Sequence, residues 1–310
     1  PISKDCCRFR FQKDKRFGEM IMNLQKALHK QVTHPQAVAL LVATAILWSF
    51  GGLLIKLINW HPAAIAGGRS TIAALLFLFV LGMPSFKMSR SQWAAAIAYA
   101  ATVILFVFAT RLTTAANAIL LQYTAPVYTI LLSAWILKEK SSIIDWGAVF
   151  LILGGMMLFF LDGFEMGHII GNVLAIFSGL SFAVMVVFLR KQKHSTTWEP
   201  IFWGNVLTAL VGLPFMGAPY PELTGILSLI ALGVFQLGLS YILYTIAIRR
   251  VTAVEATLVP VIEPILNPVW AFLGLGELPG FWALMGGILV LLTVSMRFIL
   301  TYRQSRLNPL

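Results

Sequence analysis

Ten long apolar runs, separated by short polar stretches, organise the chain. They fall at roughly 37–58, 62–82, 92–110, 116–137, 143–161, 171–189, 200–217, 224–247, 254–275 and 280–300. Crossing the hydrocarbon core as a helix takes about 20 predominantly apolar residues, and each run is close to that length. Within the runs polar positions do not recur at period two, which excludes a transmembrane β-barrel. Nor is the first run a cleaved signal peptide, because its length of about 22 residues exceeds an apolar region of about 7–15. The pattern predicts an all-α integral membrane protein with ten transmembrane helices.

Composition agrees. Of 310 residues, 59% are hydrophobic and 11% charged, against about 25% charged in soluble domains, so an ordinary cytosolic enzyme is excluded. The net charge of +11 would point to nucleic acid in a soluble protein. Here its placement reads as orientation instead, and no nucleic-acid partner is expected. With the amino terminus cytoplasmic, 20 of the 23 Lys and Arg residues lie at inner loops and tails, leaving Lys56, Arg69 and Arg111 at the outer side. Basic residues gather on the cytoplasmic side of membrane proteins, so both termini are expected there, in a bacterial-type inner (plasma) membrane.

Residues 1–36 form a cytoplasmic tail and 301–310 another. Because Met20 and Met22 shortly precede the first run, residues 1–19 read as tag, scar or upstream sequence. The adjacent Cys6 and Cys7 in that tail read as free thiols. No Cys-x-x-Cys or Cys/His cluster suits a metal, and no cofactor is expected.

Sliding the chain against itself by 138 residues gives 10 identities in the 35 positions from 105 to 139, among them Arg111 with Arg249, Thr114 with Thr252, Pro126 with Pro264 and Glu139 with Glu277. Two repeats follow, 37–161 and 171–300, each of five helices. Since five is odd, the second repeat enters the membrane from the opposite side. An inverted repeat of this kind lets a central site open alternately to either face.

Several motifs carry a resemblance. They are Trp48 with Lys56, the segment from Pro62 to Arg69, Gln122-Tyr-Thr-Ala-Pro126 leading to Lys138-Glu139-Lys140, Phe182 with Arg190, Glu263-Pro264, and Gly274-Leu-Gly-Glu277. Over about residues 37–300 the chain resembles the drug/metabolite transporter superfamily, specifically its ten-helix EamA-type members. The resemblance implies a transport scaffold whose members are often exporters, some driven by proton exchange.

Among ionisable residues inside the runs, Glu263 stands out, since an intramembrane charge is a functional candidate by default. It lies in a segment broken by Pro260, Pro264 and Pro268; each proline removes a backbone donor and frees a carbonyl one turn earlier. Glu263 either exchanges a proton or holds an ammonium group, or it is a structural acid bonded to a neighbouring helix. Its repeat partner segment holds Gln122, Tyr123 and Pro126, with Ala125 at the position matching Glu263. Arg69 lies about 10 Å below the outer surface at 1.5 Å per residue, where it attracts an anionic group or snorkels outward. Lys56 reads as an outer anchor or gate residue. Trp48, Asn205, Tyr241, Tyr244 and Asn267, with Trp203, Gln236 and Trp270, complete the candidate lining, each with helix or lipid packing as its alternative.

The expected function is a secondary transporter of small organic metabolites such as amino acids, with the bilayer and a small solute as partners. Proton coupling and a homodimer are left open. Exchange of nucleotide-sugars or S-adenosylmethionine is the alternative on the same scaffold. No Gly-x4-Gly-Lys-Ser/Thr loop points to ATP, and no catalytic motif points to an enzyme. A channel or sensor, or a membrane-embedded enzyme, is the remaining reading of another class.

Overall fold

The computed structural model of the chain describes residues 32–139, 141–161, 169–266, 270 and 281–307. Every regular element among them is helical. The first run divides into α1 (His34–Trp48) and α2 (Gly51–Lys56). Trp270 fixes the break: its ring stacks on Phe50 at 4.6 Å and its indole N–H donates to Ser49 Oγ at 2.8 Å. Next come α3 (Pro62–Leu81) and α4 (Arg90–Leu112). Pro62 begins α3 where a backbone donor is dispensable. Ser89 and Gln92 close a capping box at the start of α4.

The fourth run is also interrupted. α5 (Ala115–Gln122) stops at Tyr123, and α6 (Ala125–Leu132) restarts with Pro126 in its first turn before widening into a π-turn over Ser133–Leu137. α7 (Ile143–Leu161), α8 (Ile169–Lys191) and α9 (Trp198–Gly212) follow. The eighth run comprises α10 (Leu223–Ala231), a π-helical stretch Leu232–Leu239 and α11 (Ser240–Ala247). In the ninth run α12 (Ala253–Leu258) tightens into a 3-10 turn at Val259–Val261, beyond which 262–266 are helical. The last helix is α13 (Phe281–Leu307).

Six described stretches are long and apolar enough to cross a membrane: His34–Lys56, Pro62–Leu81, Arg90–Leu112, Asn117–Leu137, Ile169–Lys191 and Leu223–Ala247. α9 has the position of the seventh predicted run but only 15 residues. The far half of the ninth run lies largely outside the described residues.

The central bundle forms where α4 packs on α8, α9 on α3 and α4, and α11 on α1, while α7 packs on α13. Close approach is built in at Gly179 on α8, where a side chain would collide with the Gln122 carbonyl. The 138-residue repeat recurs in local structure. Thr114 Oγ accepts the Asn117 backbone N–H at 3.1 Å, and Thr252 Oγ accepts that of Glu255 at 3.1 Å. Each threonine caps the helix that leads into one of the two interrupted segments.

Candidate functional site

Between the repeats lies a cavity of about 470 Å3, its open mouth included, lined by Trp48, Arg69, Thr102, Val103, Phe106, Gln122, Tyr123, Phe182, Gln236, Leu237, Tyr241 and Glu263. Its walls combine the continuous helices α3, α4 and α8 with the segments whose helices are broken or widened. Interrupted helices leave backbone groups for a ligand, and π-bulges recur at functional sites.

Glu263 is 4% exposed. Tyr123 Oη lies 2.6 Å from Glu263 Oε2 and 2.6 Å from the Pro260 carbonyl oxygen. The hydroxyl has one proton for two oxygens. When that proton goes to the carbonyl, a protonated Glu263 completes the second bond; an ionised Glu263 competes for it. Among the described residues no cation pairs with Glu263.

Arg69 is turned inward and 1% exposed. Its Nη1 donates to Gln236 Oε1 at 3.0 Å and its Nη2 to the Val103 carbonyl at 3.2 Å, while Nε has no partner. The side chain thus pairs with a carbonyl, but one that belongs to α4 inside the bundle.

The aromatic wall is a cluster around Trp48, whose ring centroid lies 5.7 Å from Phe182, 5.1 Å from Tyr241 and 5.5 Å from Tyr244. Trp48 Nε1 donates to Ser240 Oγ at 2.9 Å, which fixes the indole. Gln122 Nε2 donates to Ser178 Oγ at 2.7 Å, and that hydroxyl donates to the Thr102 carbonyl at 3.0 Å.

Of the residues singled out in the sequence, Glu263, Gln122, Tyr123, Trp48, Tyr241, Gln236 and Arg69 thus meet at one cavity. Others do not. The Tyr244 hydroxyl donates to the Ala256 carbonyl at 3.1 Å, supporting Trp48 from behind. Asn205 is buried in α9, accepting from Tyr99 Oη at 3.0 Å and donating to the Ile201 carbonyl at 3.0 Å. Lys56 Nζ reaches the Thr113 carbonyl at 2.8 Å, at one end of the bundle. Pro126, Pro260 and Pro264 are buried at the two interruptions. Asn267 and Pro268 lie outside the described residues.

Sequence reasoning did not single out Thr102, Val103, Phe106 and Leu237. The first three sit inside the continuous apolar helix α4, where composition carries no sign of a cavity-facing side. It also treated His34 as tail, whereas His34 begins α1 and its Nε2 lies 3.2 Å from Glu255 Oε1. Among the described residues no group of three or more His, Cys, Asp or Glu side chains gathers to hold a metal.

Comparison with known proteins agrees with this architecture. The EamA-like transporter family matches residues 35–161 and again 169–299. The chain is 25% identical to the uncharacterized transporter YdfC of Bacillus subtilis, over 84% of this chain and 90% of that one. Identity to the pseudopaline exporter CntI of Pseudomonas aeruginosa is 25%, covering 74% of this chain and 84% of the exporter. Human solute carrier family 35 member G1 is 26% identical, over 80% of this chain and 74% of its own. A solved crystal structure superposes with a TM-score of 0.73 at 18% identity, over 86% of this chain and 99% of that one, a likeness of fold. With both halves matched, the chain belongs to the EamA-like transporter family of the drug/metabolite transporter superfamily: it is a multi-pass membrane transporter and not an enzyme.

Proposed function

We propose that the protein is a secondary transporter that exports small organic metabolites, amino acids among them, across the plasma membrane by alternating access about the central cavity. The reading gives the two halves inverted topology and both termini to the cytoplasm, as the distribution of Lys and Arg favours. One observation carries it. The broken segments of the two repeats meet at the Tyr123 hydroxyl, which bridges the Pro260 carbonyl and Glu263 at the cavity wall.

That bridge supplies a means of coupling. With Glu263 protonated, both oxygens beside Tyr123 are satisfied. On loss of the proton one bond must weaken, which loosens α5 from the turn at Val259–Val261. A proton gradient would then drive the exchange between states.

Proteoliposomes test the carrier. Flux of a radiolabelled amino-acid mixture is expected to saturate with concentration and to accelerate when unlabelled solute is placed on the far side. Flux that rises linearly without saturation would establish a channel instead.

A further inference from the structure

Two buried ionisable groups, one basic and one acidic, line one cavity without pairing. Arg69 has five N–H donors, of which the structure engages two, both with neutral acceptors. Its Nε is buried without a partner, and among the described residues no carboxylate pairs with it. Glu263 is bonded only to a neutral hydroxyl, and the following stretch 267–280 contains no Lys or Arg. Burying a charge without a counter-ion is expensive. Had these two groups met, each would have offset the cost of the other. Instead they occupy different walls, Arg69 on α3 beside Gln236 of the π-helical stretch, and Glu263 beside Tyr123 at the interrupted helices. Trp48, Phe106, Phe182 and Tyr241 provide flat apolar surface in the same cavity.

We infer that the cavity binds a dipolar solute in one fixed orientation. Its carboxylate lies on Arg69 and Gln236, its protonated amine at Glu263 and Tyr123, and its apolar body against Trp48 and Tyr241. This assignment rests on the transport reading and narrows its substrate to molecules carrying both charges. The planar guanidinium suits a carboxylate, which it can engage through two donors at once. Trp48 and Tyr241 also favour a cation near their ring faces.

The test uses three probes with the same body: phenylalanine with both charges, phenethylamine with the amine alone, and hydrocinnamate with the carboxylate alone. A ligand that binds only the folded state raises its melting temperature, so each probe is titrated against the purified full chain in detergent. Phenylalanine is expected to bind about tenfold or more tighter than either single-charge probe, the scale of one charged hydrogen bond. Arg69→Gln should weaken phenylalanine and hydrocinnamate by about tenfold while leaving phenethylamine unchanged. Glu263→Gln should weaken phenylalanine and phenethylamine by about tenfold while leaving hydrocinnamate unchanged.

Arg69→Lys keeps the charge and loses the fork, so it should retain the order of the three probes with reduced affinity for the two acids. It and the comparison of probes on the unmodified protein decide the matter even where Arg69→Gln does not fold. Equal affinity for phenylalanine and phenethylamine, or equal loss of both in Arg69→Gln, overturns the assignment. Failure of all three probes to stabilise the protein at millimolar concentration overturns it too. In that case saturable proteoliposome flux of an uncharged solute would leave the transport reading standing.

Discussion

The two ends of the bundle carry the same clasp in two chemistries. A shift of 138 residues places His34 on Asn172, Glu255 on Asn117, Thr252 on Thr114 and Arg249 on Arg111. Among the described residues, the contacts at the Lys56 end are neutral or reach only backbone. Thr113 Oγ donates to Asn172 Oδ1 at 2.9 Å and accepts from Asn117 Nδ2 at 3.3 Å, and Lys56 Nζ donates to the Thr113 carbonyl.

At the His34 end the matching pair, His34 and Glu255, is ionisable, and further ion pairs lie nearby. His34 and Arg297 lie 3.2 and 3.5 Å from Glu255 Oε1, Arg297 Nη2 lies 2.6 Å from Asp145 Oδ1, and Arg190 Nε lies 3.1 Å from Glu139 Oε1. Even the arginine-to-backbone contacts correspond: Arg111 Nη1 donates to the Lys56 carbonyl at 3.5 Å and Arg249 Nε to the Lys193 carbonyl at 3.3 Å. The difference therefore lies in side-chain charge on a shared frame. Removing one partner of a buried ion pair costs about 3–5 kcal/mol, against about 1 kcal/mol for a neutral hydrogen bond. The His34 end should be the harder one to open.

Arg297→Met is the strongest way to break this comparison. It removes the guanidinium that Asp145 and Glu255 share, leaving Asp145 with Ser142 and the 2% exposed Glu255 with His34 and Thr252, and is expected to lower stability by about 3 kcal/mol. Thermal unfolding in detergent reads the loss; a melting temperature within about 1 °C of the unmodified protein would contradict it.

Thr113→Val removes the two neutral side-chain bonds that Thr113 makes at the other end and should cost about 2 kcal/mol, measured in the same way. A loss as large as that of Arg297→Met would erase the distinction between the ends. Smallest and most alike are the caps. Thr114→Ala and Thr252→Ala should each cost about 1 kcal/mol or less, because capping belongs to the frame common to both repeats. A several-fold difference between them would show that the charge at Glu255 reaches into the cap itself.

Much of this was legible in the sequence, and the limits have physical causes. Hydropathy located the membrane runs because water and hydrocarbon separate residues by length and composition. The 138-residue offset exposed the repeat because Arg, Pro and Glu matches are improbable in apolar helices. Glu263, Tyr123 and Gln122 stand out in the sequence because polar groups inside such runs are rare, and all three line the cavity.

Depth along a helix can be read from a sequence, whereas the direction a side chain faces cannot. The inward turn of Arg69 onto Gln236 and the burial of Asn205 against Tyr99 are both matters of direction. The π-helical stretch Leu232–Leu239 shifts the register of everything after it, and no composition signal marks its extra residue. His34 looked like tail because its partner Glu255 lies 221 positions away.

The most direct measurement is flux into proteoliposomes with and without an imposed pH gradient, for the unmodified protein and Glu263→Gln side by side. The gradient is expected to accelerate net movement by the unmodified protein and to leave Glu263→Gln unaffected, while solute exchange without a gradient continues in both. Gradient-driven movement of equal rate in the two proteins would contradict the role given to Glu263 and Tyr123.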